Sequence, residues 1–188
     1  MNMKPAGAGK SSFDLLAGNK AFDLMAIKVG SSFLDLACGF GHYSLFVADL
    51  VGPNGQVHAL DLWEEGILQL QQQAAQEQKA NITALVGDIA AIPLSAASVD
   101  CALLATALHD VAQPQRAAVI RGVHRVLKPG AHFCVIEFKR RQDGPGPPLA
   151  IRLAPADVET LVLPAGFETV ASESVGEALY LLKFRKKN

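Results

Sequence analysis

Cysteine and aromatic residues are scarce in this sequence, and neither sign of charge is in excess. There are 3 Cys, 1 Trp, 2 Tyr and 9 Phe in 188 residues. Cys38, Cys101 and Cys134 lie far apart, which excludes a disulfide framework and a thiolate metal site. The 5 histidines show no paired spacing, so no metal centre is expected. Lys and Arg total 17 against 18 Asp and Glu, a net charge of −1, so no overall field draws nucleic acid or an anionic membrane. The basic clusters at Lys139-Arg140-Arg141 and Lys183 to Lys187 have no aromatics interleaved, which argues against a nucleic-acid surface. The apolar run from Cys101 to Leu108 falls far short of the ~20 residues of a membrane helix. Met1 to Gly7 lacks the apolar core of a signal peptide. A cytoplasmic protein with no membrane association is the expectation. Hydrophobic residues make up 50% and charged residues 19%, which excludes a largely disordered chain and suits a single domain.

The order of the patterns implies alternating strands and helices. Residues 1–12 are small, polar and glycine-rich and are expected to be mobile at their ends. Phe13 to Val29 carries apolar residues at helical spacing and predicts one or two short helices. Strands are predicted over 32–36, 56–61, 82–86, 99–104 and 131–137. Helices are predicted from His42 to Leu50, from Glu64 through Ala74, and from Gln113 to Leu127, the last stopped by Lys128-Pro129-Gly130. Residues 139–153 form a Gly- and Pro-rich loop. A helix over 157–165 follows, closed by Gly166, and strands over 167–174 and 177–184 make a closing hairpin. Such alternation implies an α/β protein with a mostly parallel sheet covered on both faces.

The informative segment is Asp35-Leu36-Ala37-Cys38-Gly39-Phe40-Gly41, where the first strand turns into a helix. Gly39 and Gly41 allow close approach of backbone to a ligand, and ligands of open α/β sheets bind beyond the carboxyl ends of the strands. Asp61 ends the second strand, where an acid can accept hydrogen bonds from ribose hydroxyls. Together these point to a nucleoside-containing cofactor. A dinucleotide fingerprint would need Gly or Ala where Ser44 stands. Asp35 would repel a pyrophosphate and favour the ammonium and sulfonium of S-adenosylmethionine.

In these residues the sequence resembles the class I S-adenosylmethionine-dependent methyltransferases, in the branch of the ubiquinone and menaquinone methyltransferases. The resemblance implies one Rossmann-like three-layer sandwich with seven strands in the order 3-2-1-4-5-7-6, strand 7 antiparallel. It implies a methyltransferase domain over 30–188; with no inserted substrate domain, the N-terminal helical segment, 1–29, and the loop 139–153 are left to cover the pocket, and Phe13, Phe22 and Met25 either form an apolar lid or pack on the sheet and helices. It implies cofactor contacts from Asp35, Ala37, Cys38, Gly39, Gly41, Asp61, Leu62, Asp88, Ile89, Ala105 and Leu108, with Asp61 on the ribose, Asp88 on the adenine amine, and Leu62 and Ile89 against the ring. S-adenosylhomocysteine would be the product.

The acceptor would be a small molecule. A methyl sulfonium is already activated, so alignment and exclusion of water come first, and a base is needed only for a weak nucleophile. His109 is the best base candidate because it titrates near neutrality. Glu137 is the second residue on the catalytic side, as an acceptor contact or a structural partner. The rival readings are an NAD-dependent oxidoreductase and a cofactor-binding or partner protein without catalysis. Gly7-Ala8-Gly9-Lys10-Ser11 resembles the end of a phosphate-binding loop, but Lys4 stands where its first Gly belongs and no strand precedes it.

Overall fold

The computed structural model describes Gly7 and residues 9–187. The mobility expected of residues 1–12 therefore falls partly outside the described residues, and Ser12, at the end of that stretch, is buried. A 3-10 turn at Phe13–Leu15 and helix α1 (Lys20–Met25) precede the alternating part of the chain. There follow β1 (Ser32–Leu36), α2 (His42–Val51), β2 (Gln56–Asp61), α3 (Glu64–Gln76), β3 (Ile82–Val86), β4 (Val99–Ala105), α4 (Gln113–Val126), β5 (Leu127–Phe138), α5 (Pro155–Val162), β6 (Phe167–Ser174) and β7 (Leu179–Lys186).

The strands form one 7-stranded sheet in the order β3-β2-β1-β4-β5-β7-β6, as the resemblance implies. Only β7 runs antiparallel to its neighbours, β5 and β6. Strand side chains alternate between faces, and each face has its own core. Leu34, Leu36, Leu60, Ala102 and Leu104 pack under α4 and α5. Phe33, Val57, Leu103 and Cys134 pack under α1 and α2 on the other face. Helix α3 closes that face through Ile67 and Leu70 against Ala59 and Ala84. The central strands are apolar on both faces for this reason. The crossovers leave β1 toward β2 on one side and toward β4 on the other, so the strand order reverses between β1 and β4. That switch point is where an open α/β sheet offers a crevice.

Several boundaries differ from the sequence expectation by a few residues, and at two of them, the starts of β5 and β7, the packing gives the reason. The turn predicted at Lys128-Pro129-Gly130 is taken into β5, which starts at Leu127 paired with Val99. Pro129 has no N–H for the ladder and Gly130 takes φ +73°, so the register shifts between Val99 and Cys101 instead of the strand ending. The last strand begins at Leu179, two residues late. The bend before it holds Gly176, where a Cβ would collide with the Leu15 carbonyl, and Ala17 N–H donates to the Val175 carbonyl at 2.8 Å. The N-terminal strap is thus fastened to the closing hairpin. Phe22 and Met25, predicted as possible lid residues, are buried in the core. No helix among the described residues is long and apolar enough to cross a membrane.

Candidate functional site

Two adjoining cavities open at the carboxyl ends of the parallel strands β1 to β5. The first, of about 300 Å3, has Ala37, Gly39, Asp61, Leu62, Asp88 and Ile89 among its lining residues. Ala105, also placed there by the sequence, lines it too. Its walls come from the carboxyl ends of four strands, β1, β2, β3 and β4. Ala37 (φ 55°) and Thr106 (φ 49°) follow β1 and β4 in the left-handed region, which few non-glycine residues adopt. That conformation turns both loops sharply outward around the cavity.

Asp61 is fixed by two backbone donors. Gly39 N–H donates to Oδ2 and Trp63 N–H to Oδ1, each at 2.8 Å. A carboxylate has about four lone-pair sites, so each oxygen keeps one for a ligand hydroxyl. Leu62 beside it is 54% exposed, a large apolar side chain offered to the cavity. Asp88 accepts the Ala90 N–H at 2.8 Å, which anchors the 3-10 turn Ile89–Ala91 facing Leu62's loop. No Cβ at Gly39 would meet an atom within 4 Å, so this glycine serves conformation (φ 56°) and leaves open space above itself. At Gly66 a Cβ would meet the Gly39 carbonyl at 2.8 Å, so close approach of α3 to the glycine turn requires glycine there.

Four residues that the resemblance implies as cofactor contacts do not line this cavity: Asp35, Cys38, Gly41 and Leu108. Asp35 is buried behind the turn and accepts the Ser44 hydroxyl at 2.6 Å. Burial raises its pKa to about 7, against the hydrogen bond from Ser44. Leu108 is fully buried in the core under α4. Gly41 N–H closes the turn on the Cys38 carbonyl at 2.8 Å, and a Cβ on Gly41 would run into Leu70. These residues shape the floor from beneath.

The second cavity, of about 440 Å3, is built from loops. Ser12, Leu15, His109, Phe138, Pro147 and Ile151 are among its lining residues. It shares Gly7, Lys10, Thr106 and Asp110 with the first, so the two meet at the end of β4. Gly7 and Lys10, from the segment that resembles the end of a phosphate-binding loop, therefore lie at the junction. Thr106 donates to the Ser12 hydroxyl at 3.0 Å, and Ser12 pairs with the Tyr43 hydroxyl at 3.0 Å.

His109 is buried against Glu137. Its Nδ1 lies 2.7 Å from Glu137 Oε2, and its backbone N–H donates to Oε1 at 3.1 Å. With the proton on Nδ1 shared with the carboxylate, Nε2 carries the lone pair. Asp110 Oδ2 is 3.6 Å from Nε2, beyond hydrogen-bond length. Burial alone would lower the His109 pKa, but the Glu137 hydrogen bond and charge outweigh it and raise the value. Glu137 is wholly buried and lines neither cavity, so it acts on His109 and not on a ligand directly.

Sequence reasoning passed over Arg152. Its buried guanidinium donates to the carbonyls of Pro147, Lys139, Arg141 and Pro145 at 2.9–3.2 Å and lies 5.7 Å from the Phe138 ring centre. The loop 139–153 is folded around it and forms a wall of the second cavity.

Residues 33–130, just over half of the chain, match the family model of a methyltransferase domain. The chain belongs to the methyltransferase-domain family. A demethylmenaquinone methyltransferase of Lactococcus lactis is 33% identical over 118 residues, covering 63% of this chain and 46% of the relative. The chain spans about half the length of the curated relatives it matches. In fold it is similar to an S-adenosylmethionine-dependent methyltransferase from Aquifex aeolicus, with TM-score 0.85, 24% identity and coverage of 93% and 92% of the two chains. It is also similar to a Burkholderia thailandensis 1,6-didemethyltoxoflavin-N1-methyltransferase solved with S-adenosylhomocysteine, with TM-score 0.71, 20% identity and coverage of 90% and 76%. The fold is thus that of the class I S-adenosylmethionine-dependent methyltransferases. The first cavity of this methyltransferase domain fits that cofactor. It pairs a carboxylate that keeps free acceptor sites with an exposed leucine and an isoleucine, two apolar side chains able to bracket a flat base. Ser44, at the third fingerprint position, is buried and bonded to Asp35, which a pyrophosphate-binding turn would not require.

Proposed function

We propose that the chain transfers a methyl group from S-adenosylmethionine in the first cavity to a small-molecule acceptor in the second. The observation that carries this reading is the meeting of the two cavities at Thr106 and Asp110, with His109 facing the acceptor side. Asp61 holds the ribose, Leu62 and Ile89 bracket the base, and Asp88 meets its amine. Ala37, Gly39 and Ala105 contact the cofactor through the cavity wall. Asp35, Cys38, Gly41 and Leu108 support the floor. The N-terminal segment, with Lys10 and Ser12 at the junction, serves as the lid.

The cofactor brings a methyl sulfonium, an electrophile whose positive charge disappears on transfer. The protein's share is alignment, exclusion of water and removal of a proton. Glu137 holds the His109 imidazole in one orientation with Nε2 free toward the cavity. That nitrogen takes the proton from an acceptor hydroxyl or an acidic carbon, and the Glu137 carboxylate stabilises the imidazolium formed. The apolar walls from Leu15, Phe138, Pro147 and Ile151 suit a compact, largely apolar acceptor. The Lactococcus relative's name makes a hydroxylated aromatic ring such as demethylmenaquinone the first acceptor to assay.

Calorimetric titration with S-adenosylmethionine, S-adenosylhomocysteine and NAD tests the cofactor assignment. Micromolar binding of the first two and none of NAD is expected; binding of NAD alone overturns the reading. Asp61→Ala should weaken S-adenosylhomocysteine binding about ten- to a hundredfold, since hydrogen bonds to a charged group are worth roughly 1.5–3 kcal/mol. It should also lower the melting temperature modestly, because the Gly39 and Trp63 N–H groups lose their acceptor.

A further inference from the structure

The loop between β4 and α4 carries His109 and is held from two sides. On the β5 side, Glu137 accepts the His109 N–H at 3.1 Å and lies 2.7 Å from Nδ1. On the other side stands Arg116, in the first turn of α4. Its Nη2 donates to the His109 carbonyl at 3.2 Å and its Nε to the Val111 carbonyl at 3.0 Å. Within the loop, Asp110 N–H donates to the Ala107 carbonyl at 3.0 Å and Val111 N–H to the Leu108 carbonyl at 3.3 Å. The peptide groups before and after His109 are both engaged, so the direction of the ring is set from the backbone as well as from Nδ1.

The helix does not explain the place of Arg116. A cation near a helix N-terminus is opposed by the helix dipole, and the first turn of α4 holds no acidic residue to offset it. Among the described residues no carboxylate pairs with Arg116. The guanidinium instead offers donors in a rigid fork, which matches two carbonyls two residues apart in the loop.

The same cation stands among charges that act on the ring. Burial lowers the basicity of His109, Glu137 from β5 and Asp110 from the same loop raise it, and Arg116 from α4 lowers it. Lys10 lines the same cavity from the N-terminal strap, and Phe138 meets the ring with centres 6.1 Å apart. A base that holds its own proton too tightly at the working pH takes none from an acceptor. Two carboxylates beside one imidazole press toward that state, and a cation on the third side works against it.

We propose that Arg116 is a positioning residue for His109: it fixes the loop through the two carbonyls and sets its charge against those of Glu137 and Asp110. The inference rests on the reading of His109 as the base, and its first test needs no turnover. Histidine side chains of the full chain are titrated by NMR, with the His109 signal identified by its loss in His109→Ala. Arg116→Gln, which removes the charge and keeps an amide donor, should move the His109 titration to higher pH. Arg116→Lys, which keeps the charge and frees one carbonyl, should leave it in place. A cooperative melting transition shows that each variant is folded. In turnover, the ascending limb of the rate–pH profile should move to higher pH in Arg116→Gln alone. Arg116→Lys should lower kcat roughly three- to tenfold with the limb unmoved, as expected of a base held less firmly. An unmoved His109 titration in Arg116→Gln, or the same shift in both variants, overturns the proposal whether or not the enzyme turns over. Full turnover in His109→Ala sinks the base reading itself and takes the positioning role with it, a failure the titration tells apart from the first.

Discussion

The two cavities that meet at the end of β4 are built by different means. The first rests on strand ends. Ala37, Asp61 and Ala105 each follow or close a strand whose neighbours fix its position, and buried polar groups such as Asp35 and Ser44 brace it from beneath. The second rests on loops held by side chains: Arg152 gathers residues 139–147, Ser12 ties the N-terminal strap to Thr106, and Glu137 holds His109. A strand end is shared by every member of a fold class, whereas a loop is free to change. On the proposed function the contrast separates what makes a cofactor site from what makes an acceptor site, and substitutions in the two should split binding from turnover.

The largest effect is expected at His109. A positioned general base contributes roughly a hundred- to ten-thousandfold, so His109→Ala should lower kcat by at least a hundredfold while S-adenosylhomocysteine affinity changes less than twofold. Glu137→Gln sharpens the point through pH. Burial lowers the His109 pKa and the Glu137 bond and charge raise it above the ordinary value. Removing the charge should shift the ascending limb of the rate–pH profile to lower pH and reduce the limiting rate. If the limb stays where it is while the rate falls, Glu137 only supports the fold.

Asp35 provides the matching test on the cofactor side. Its carboxyl, held near pKa 7 by burial, binds its proton more tightly in the folded chain than in the unfolded one, where the value is 3.8. Folding stability should therefore fall as pH rises from about 4 to 7, by an amount of order a few kcal/mol, and stay low above that. Asp35→Asn retains an acceptor for Ser44 and removes the titration. Chemical denaturation across this range should show a flatter stability profile and a more stable variant at pH 8. An unchanged slope would mean that Asp35 is not the group responsible.

The same division explains what the sequence made legible. The strand order came with the family resemblance, which the segments at Asp35–Gly41, Asp61 and Asp88 carry because turn glycines and terminal acids leave marks in one stretch of chain. The closing hairpin was visible at 167–174 and 177–184 through the short link between its strands, though the second strand starts later, at Leu179, after a bend where Gly176 lies against Leu15. The first cavity inherited this legibility. Arg152 left no mark, since an arginine after a Pro- and Gly-rich loop reads as solvated until its four carbonyl partners are known. Lys10 and Gly7 were dismissed as a failed phosphate loop, and only the tertiary fold brings them over the junction.

Arg152 carries the smallest and most selective expectation. Its guanidinium is buried among four carbonyls from one loop, and among the described residues no carboxylate pairs with it. Its role is geometric: a planar fork satisfies several acceptors at fixed angles, whereas an ammonium is a point charge that reaches fewer. Arg152→Lys keeps the charge and the stem but frees two or three of the carbonyls. The loop should then loosen, and with it the wall formed by Pro147 and Ile151. Three consequences should appear together: acceptor KM rises three- to tenfold, kcat changes little, and S-adenosylhomocysteine affinity is unchanged. Trypsin should also cut faster after Arg140 and Arg141, a readout that needs no acceptor. An equal loss of acceptor and cofactor binding would show that the two cavities respond as one unit, and the contrast between strand-built and loop-built walls would fail as an account of this molecule.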